Sequence, residues 1–160
     1  MNLLKRVLLA LAVASAVALL AGRLGWLEGP VPTDLGVKDG RLKPPARVPH
    51  SVSSQADAAS AAYIEPLPPT FGDRDGGATL AALQSIVEAM PGAKVVKLDG
   101  GYLYAQFTSS WFRFVDDTEF WFDPGAGVVQ VRSASRLGES DLGVNRARIE
   151  AIRAQLAASR

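Results

Sequence analysis

The sequence predicts an α+β protein: one helix, an antiparallel meander of about four strands and a second helix, preceded by a hydrophobic membrane segment. Three observations support this prediction. Apolar residues recur at helical spacing on either side of a region in which they alternate. Glycine-rich turns separate the alternating runs. The chain has 160 residues, the length of one ordinary domain. We expect both helices to pack on the same face of the sheet.

The first element, residues 1–27, is predicted to be a membrane anchor or signal segment. Lys5 and Arg6 precede an uncharged run of 16 residues, and the apolar stretch continues past one arginine to residue 27. Residues 7–27 thus match the roughly 20 residues that span a bilayer, with Trp26 at the interface. Pairs of small residues suited to signal cleavage lie inside the apolar run, which favours an uncleaved anchor over a cleaved signal or a buried helix. Membrane contact is expected through residues 7–27.

The second segment, residues 28–60, is predicted to be a proline-rich strap, and residues 61–160 the compact domain. Eight of the ten prolines lie between residues 30 and 69, where they restrict the backbone and remove hydrogen-bond donors. The segment is not a plain linker, because Leu35, Leu42 and other apolar residues are spaced through it. We therefore expect an extended strap that is partly docked on the domain.

The compact domain is predicted to begin with a helix over residues 78–90, ended by a Pro-Gly pair. Its buried face is expected to comprise Leu80, Leu83, Val87 and Met90. Four strands are then expected over residues 94–98, 102–108, 117–123 and 128–133. In the third strand, alternation puts Thr118, Phe120 and Phe122 on one face and Glu119, Trp121 and Asp123 on the other. The aromatic residues between Trp111 and Phe122 are expected in the core.

The last element is predicted to be a helix that begins after Ser140 or Asp141, either of which can accept hydrogen bonds from its free amides as the N-cap. Its buried face is expected to comprise Leu142, Asn145, Ile149, Ile152 and Leu156.

Opposite charges are concentrated in two neighbouring parts of the chain. Residues 99–123 carry five carboxylates and one arginine, whereas residues 132–160 carry six arginines and three carboxylates. A hairpin at the Pro-Gly turn of residues 124–127 would bring the two groups together. The pairing itself stays open, because a slip of one residue exchanges the faces of a strand.

Two interpretations of these charges remain open. In the first, arginine–carboxylate pairs clamp the last helix to the sheet and are purely structural. In the second, the arginines, serines and free amides near the last helix form a pocket for an anionic small molecule, a lipid headgroup or a protein partner. The candidate ligand-binding residues are Asp116, Asp117, Glu119, Arg132, Ser133, Ser135, Arg136, Asp141, Asn145 and Arg146.

Two further function classes are weighed beside this binding module. A hydrolase or isomerase would use Asp117 and Glu119, the carboxylates on one strand face, converging on open space. A structural envelope or assembly factor would show an exposed apolar patch and no small-molecule cleft. We predict no catalytic residue, metal site or cofactor, and consider an enzyme the less favoured class.

Composition excludes several other kinds of chemistry. The chain has no cysteine and one histidine, His50, so thiol nucleophiles, thiolate metal sites and mechanisms that need two imidazoles are ruled out. The formal net charge is +1, which gives no reason to expect nucleic-acid binding.

Four segments carry a resemblance to a known family. In chain order they are DLGVKDGRLKP (34–44), VSSQAD (52–57), FRFVDDTEFWFD (112–123) and RSASRLGESDLGVNR (132–146). Together they resemble the domain of unknown function 1499 family, small bacterial envelope proteins that usually carry an N-terminal hydrophobic segment and have relatives in photosynthetic organelles. The resemblance implies an inner-membrane protein whose domain lies on the periplasmic side. All ten candidate residues fall in the last two segments, and the family has no established active site to assign their roles.

The strap departs from the family pattern at two positions. Relatives typically carry a pair of cysteines before the VSSQAD segment, and the matching positions here are Pro45 and Ser51. Any disulfide or redox role that the resemblance implies for relatives cannot operate in this chain. The strap is therefore expected to be held by packing and by proline stiffness.

Overall fold

The computed structural model describes residues 2–70 and 72–159 and has three helices and five strands within them. In chain order these are α1 (Leu3–Arg23), β1 (Ser51–Ser53), α2 (Gly77–Glu88), β2 (Ala93–Asp99), β3 (Tyr102–Thr108), β4 (Val115–Asp123), β5 (Val128–Ser135) and α3 (Val144–Ala158). The predicted α+β class is confirmed.

The strands form one antiparallel sheet in the order β1-β5-β4-β3-β2. Strands β2 to β5 form the predicted meander, in which each strand pairs with the strand that follows it in the chain. Short connections favour such pairing of consecutive strands. The additional strand, β1, comes from the strap and pairs with β5, so that Val52 lies opposite Ser133. Three residues are too few to show an alternating pattern, which is why the sequence did not predict this strand. The boundary between strap and domain at residue 60 stays a prediction.

Helices α2 and α3 cover the same face of the sheet, as predicted. The core on this face holds Leu83 and Val87 of α2, Ile149 and Ile152 of α3, and Phe120 at the centre of the sheet, all fully buried. The opposite face carries a second, smaller apolar cluster, in which Leu42 of the strap packs with Tyr102 and Tyr104 of β3. The sheet is therefore buried on both faces, by helices on one side and by the strap on the other.

Two expectations about buried apolar residues were wrong. Leu142 precedes α3, has a positive φ of 54° and is 94% exposed, because the turn that leads into the helix points it outward. The aromatic residues Trp111, Phe112 and Phe114 are exposed, Trp111 by 73%. They lie in the β3–β4 connection, where Arg113 has a positive φ of 58° and the strand alternation is interrupted.

Helix α1 is long and apolar enough to cross a membrane, and its apolar window has no part buried against the rest of the chain. Its C-terminal end, in contrast, contacts the domain. Gly22 is buried there, and its Cα lies so near the Phe112 carbonyl that a Cβ would collide with it. Beyond the helix, Arg113 forms a salt bridge of 3.4 Å to Glu28. The end of α1 is thus packed against the β3–β4 connection.

Replacing Gly76 by alanine is expected to destabilise the core strongly. Gly76 has a φ of +80° and packs on the Phe122 ring, so a Cβ would add a collision to the strain of the left-handed conformation. Gly127→Ala is the matched control, because Gly127 has a φ of +66° and nothing within 4 Å of the added Cβ. The control should cost about 1–2 kcal/mol and Gly76→Ala more. Urea unfolding of the full-length protein in detergent measures both, and equal losses would contradict the packing argument.

Candidate functional site

Alternation along β4 separates the predicted cluster into two networks on opposite faces of the sheet. The Asp116 side chain points to the helix face, whereas Asp117 and Glu119 point to the strap face. Pairing with β5 fixes the neighbours: Glu119 lies opposite Arg132, and Thr118 opposite Ser133. The ten candidates therefore do not form one pocket.

The network on the strap face consists of two buried ion pairs. Arg136 donates through Nε and Nη2 to the two carboxylate oxygens of Asp117, both at 2.8 Å. Arg132 donates through Nη1 to Glu119 Oε2 at 3.2 Å. All four side chains are nearly inaccessible to solvent, with exposures of 6% or less. The bidentate geometry at Asp117 is the stronger form of this interaction.

Tyrosines and the strap complete the hydrogen bonds of these carboxylates. Tyr102 Oη donates to Glu119 Oε1 at 2.8 Å, and Tyr104 Oη donates to Asp117 Oδ1 at 2.5 Å. Burial, reinforced by the carboxylate that each hydroxyl faces, raises the pKa of both tyrosines. From the strap, the Gly36 amide donates to Glu119 at 2.8 Å. The hydrogen bonds that Arg136 donates to Asp117 raise the pKa of Arg136, although burial opposes this shift.

The network on the helix face joins β4, β5 and α3. Arg148 donates to Asp116 Oδ2 at 2.6 Å and to Asn145 Oδ1 at 2.6 Å. Ser133 donates to the same oxygen of Asn145. The side-chain amide nitrogen of Asn145 donates to Ser135 Oγ at 3.1 Å and to the His50 carbonyl at 3.2 Å. Asn145 is fully buried and uses its oxygen and nitrogen to connect three elements.

Arg148 is the residue of this network that the candidate set missed. Its guanidinium also stacks on the Phe107 ring, with 4.4 Å from Cζ to the ring centroid. A signal for it was present, because an arginine in the second turn of a helix opposes the macrodipole and calls for an acidic neighbour. From the sequence this neighbour is Asp116, Asp117 or a ligand, and the structure shows that it is Asp116.

Asp141 and Arg146 hold segments of the chain in place. Asp141 accepts hydrogen bonds from the amides of Asn145, at 2.9 Å, and Gly143, at 3.0 Å, so it satisfies a free amide at the start of α3 as predicted. The N-cap position itself is Gly143, not Ser140 or Asp141, because the helix begins at Val144. Burial raises the pKa of Asp141, but these hydrogen bonds outweigh it and leave the pKa below its usual value. Arg146 donates to main-chain carbonyls at positions 61 and 63, at 2.7 and 2.6 Å.

A cavity of about 610 Å³ opens beside the helix-face network, and its walls are mainly apolar. It lies between the β3–β4 connection, the loop after β5 and the first turns of α3. The apolar wall includes Met90, Phe107, Phe114, Leu137, Leu142 and Val144. The volume falls within the range of small-molecule sites in proteins.

Polar groups also line this cavity. The Asp116–Arg148 pair contributes to its lining, and Ser109, Ser110 and Ser140 add hydroxyl groups. A mainly apolar chamber with a few polar groups suits a ligand that is itself partly apolar and partly polar. Sequence reasoning missed this cavity, although apolar residues in the otherwise polar loop 137–144 were a usable signal.

The arrangement of the carboxylates bears on the alternative functions. A hydrolase or isomerase of the kind considered above needs Asp117 and Glu119 to converge on open space, whereas each is buried in its own ion pair. Asp117 and Glu119 therefore do not face a common open space. Within residues 2–70 and 72–159, no group of three or more acidic or histidine side chains is placed to hold a metal ion.

The fold and site together define a class of protein: an α+β domain with charges buried on both sheet faces, attached to an apolar N-terminal helix. The family model described as Protein of unknown function (DUF1499) matches residues 41–156, and the chain belongs to that family. No curated protein and no solved structure matches the chain. The match begins within the strap and includes β1 and both sheet-face networks.

Replacing Arg136 by methionine is expected to lower the free energy of unfolding by about 3–5 kcal/mol, because it leaves Asp117 charged and unpaired in a buried position. The double variant Asp117→Leu/Arg136→Met should recover part of this loss, since neither charge then remains. Urea unfolding of full-length wild type, the single variant and the double variant measures the three free energies.

The control for this prediction is Lys43→Met, which breaks an exposed salt bridge to Asp34 of similar length, 2.7 Å. An exposed pair contributes at most about 1 kcal/mol. Similar losses for Arg136→Met and Lys43→Met would show that burial is not what makes the Arg136 pair important.

Replacing Asp141 by alanine is expected to cost about 1 kcal/mol at pH 7 through loss of the α3 cap. The pKa of Asp141 is lowered in the folded state, so its contribution is complete above the usual carboxyl pKa and is lost as the pH falls through the folded value. The difference between wild type and Asp141→Ala should therefore shrink below about pH 4. Urea unfolding at pH 7 and pH 3 tests this, and Asp141→Asn, which keeps an acceptor oxygen, should lose less.

Proposed function

We propose that this protein is a membrane-anchored, non-catalytic binding module whose cavity takes the apolar part of a lipid. The observation that carries the proposal is the cavity of about 610 Å³ with mainly apolar walls and a few polar lining groups. Its volume accommodates part of an acyl chain, and the Arg148 guanidinium and the serine hydroxyls of its lining are offered to a headgroup.

The location of the protein is part of the same proposal. Helix α1 serves as an uncleaved anchor in the inner membrane, with the domain on the periplasmic side. The support is its length, its composition, the two basic residues that precede the apolar run and the contact between Gly22 and the domain. A signal segment removed on export is the alternative, and a processed N-terminus on the mature protein would identify it.

An anionic ligand enters this proposal in a different way from the one the sequence suggested. Arg132 and Arg136 are buried on the strap face with Glu119 and Asp117. Their charges are neutralised there, which leaves Arg148 as the guanidinium at the cavity. Arg148 is itself paired with Asp116, so we expect a modest preference for anionic headgroups rather than a strict requirement.

Replacing Ala147 by tryptophan is expected to abolish most lipid retention without unfolding the domain. Ala147 lines the cavity from an exposed position on α3, so a large side chain there fills the cavity without entering the core. Full-length protein in mild detergent is incubated with phosphatidylglycerol, and native mass spectrometry counts the lipids that stay bound. Retention should fall at least about tenfold, equivalent to about 1.4 kcal/mol of binding free energy.

The control is Ala154→Trp, which puts the same side chain on an exposed position further along α3. It should retain lipid like the wild type, which separates the cavity from lipid held around α1. Equal retention by Ala147→Trp and wild type would refute the proposal. Retention of phosphatidylcholine at the level of phosphatidylglycerol would refute the preference for anionic headgroups alone.

A further inference from the structure

We infer that the surface at the end of α1 lies in the bilayer interface and presents the cavity directly to membrane lipid. This surface, here called the exit surface, comprises Trp26, Trp111 and Phe112 with Arg23 and Arg113. The inference deepens the proposed function and depends on its membrane anchor.

The depth of the exit surface follows from the length of α1. The uncharged part of the helix, residues 7–22, has 16 residues, and at 1.5 Å per residue it is about 24 Å long, less than the roughly 30 Å thickness of the hydrocarbon core. No turn is left over at its C-terminal end, so Gly22 and Arg23 lie at the membrane boundary. Gly22 packs on the Phe112 carbonyl, which brings the β3–β4 connection to the same level.

The side chains of the exit surface suit that position. Trp26 and Trp111 are 74% and 73% exposed although they are large and apolar. Tryptophan is enriched at membrane interfaces, where its ring lies among the headgroups. Arg23 is exposed and offers positive charge to anionic headgroups, whereas the half-exposed Arg113 is paired with Glu28 at 3.4 Å. A bilayer thus accounts for apolar rings beside cationic side chains on this surface.

The cavity and the exit surface meet at the β3–β4 connection. A cleft between the end of α1 and this connection is lined by Leu24, Trp111 and Ser110, with Arg23, Glu28 and Arg113 beside them. Ser110 also lines the cavity, together with Phe114. Phe114 lies 6.2 Å from Phe112, centroid to centroid. The inferred route of a lipid chain from the bilayer to the cavity therefore follows the β3–β4 connection past Ser110.

Single-tryptophan variants of the full-length protein test this inference in vesicles that contain phosphatidylcholine brominated on its acyl chains. Trp26→Phe/Trp121→Phe leaves Trp111 as the only tryptophan among the three of the sequence. Its emission should be blue-shifted, largely lost to bromine near the headgroup and less affected by bromine deeper in the chain. The control Trp26→Phe/Trp111→Phe leaves Trp121, which packs beside Tyr102 on the strap-facing side and should keep most of its emission.

The outcomes separate this inference from the proposed function. Trp111 emission that resists bromolipid and is quenched by aqueous iodide would overturn the inference, even if the cavity retains phosphatidylglycerol. Strong quenching of Trp111 together with equal lipid retention by Ala147→Trp and wild type would support contact between the exit surface and the membrane. It would overturn the statement that this surface presents the cavity to lipid. Equal quenching of Trp111 and Trp121 would also overturn the inference, because the exit surface would then be no nearer to the acyl chains than the strap-facing side of the sheet.

Discussion

The burial of three carboxylates on one central strand is the constraint on which the rest of this structure depends. Asp116, Asp117 and Glu119 of β4 point alternately to the two faces of the sheet, and all three are buried. A buried, unpaired carboxylate costs several kcal/mol, comparable to the whole stability of a domain. The fold must therefore bring one cation to each of them. Strand β5 and the loop after it supply two arginines, and α3 supplies the third.

The same demand explains how a proline-rich strap is held without a disulfide. Prolines leave main-chain carbonyls without the ladder partners of a regular strand, and buried carbonyls need donors. In the segment that follows the strap, Arg146 and Arg153 of α3 donate to four carbonyls between positions 61 and 66. Nearer the sheet, Ser51 Oγ accepts from the Ala46 amide at 2.9 Å and closes the loop that ends at β1. Hydrogen bonds that involve side chains thus hold these segments, beside the packing of Leu42 on β3.

Sequence reasoning reached the helices, the meander and the two-faced character of β4, because each rests on local periodicity. Glu119 and Asp117 were predicted to share one face, and they do. The arginine partners depended on register, which alternation alone does not fix. The sequence did not predict that Trp111 and Phe112 are exposed. The pattern suggested that these residues lead directly into a strand, whereas Arg113 has a positive φ that interrupts the extended backbone. The cavity was missed because three separate loops and turns form it, and no single segment shows it.

The buried ion pairs stabilise the fold, whereas the residues around the cavity shape the proposed binding site. Four of the five arginines described after residue 131 hydrogen-bond to groups that must be satisfied for folding, and the fifth, Arg148, does so at the edge of the cavity. Much of the cavity wall comes from apolar residues of the β3–β4 connection, the loop after β5 and the first turns of α3, which also carry the paired Arg136 and Arg148. Substitutions of those apolar residues leave both arginines in place, so they can alter the shape of the cavity while the ion pairs stay intact. Arg148 is where the two duties meet, because it neutralises Asp116 and faces the cavity with the same guanidinium, so a ligand headgroup there competes with a contact that stabilises the fold.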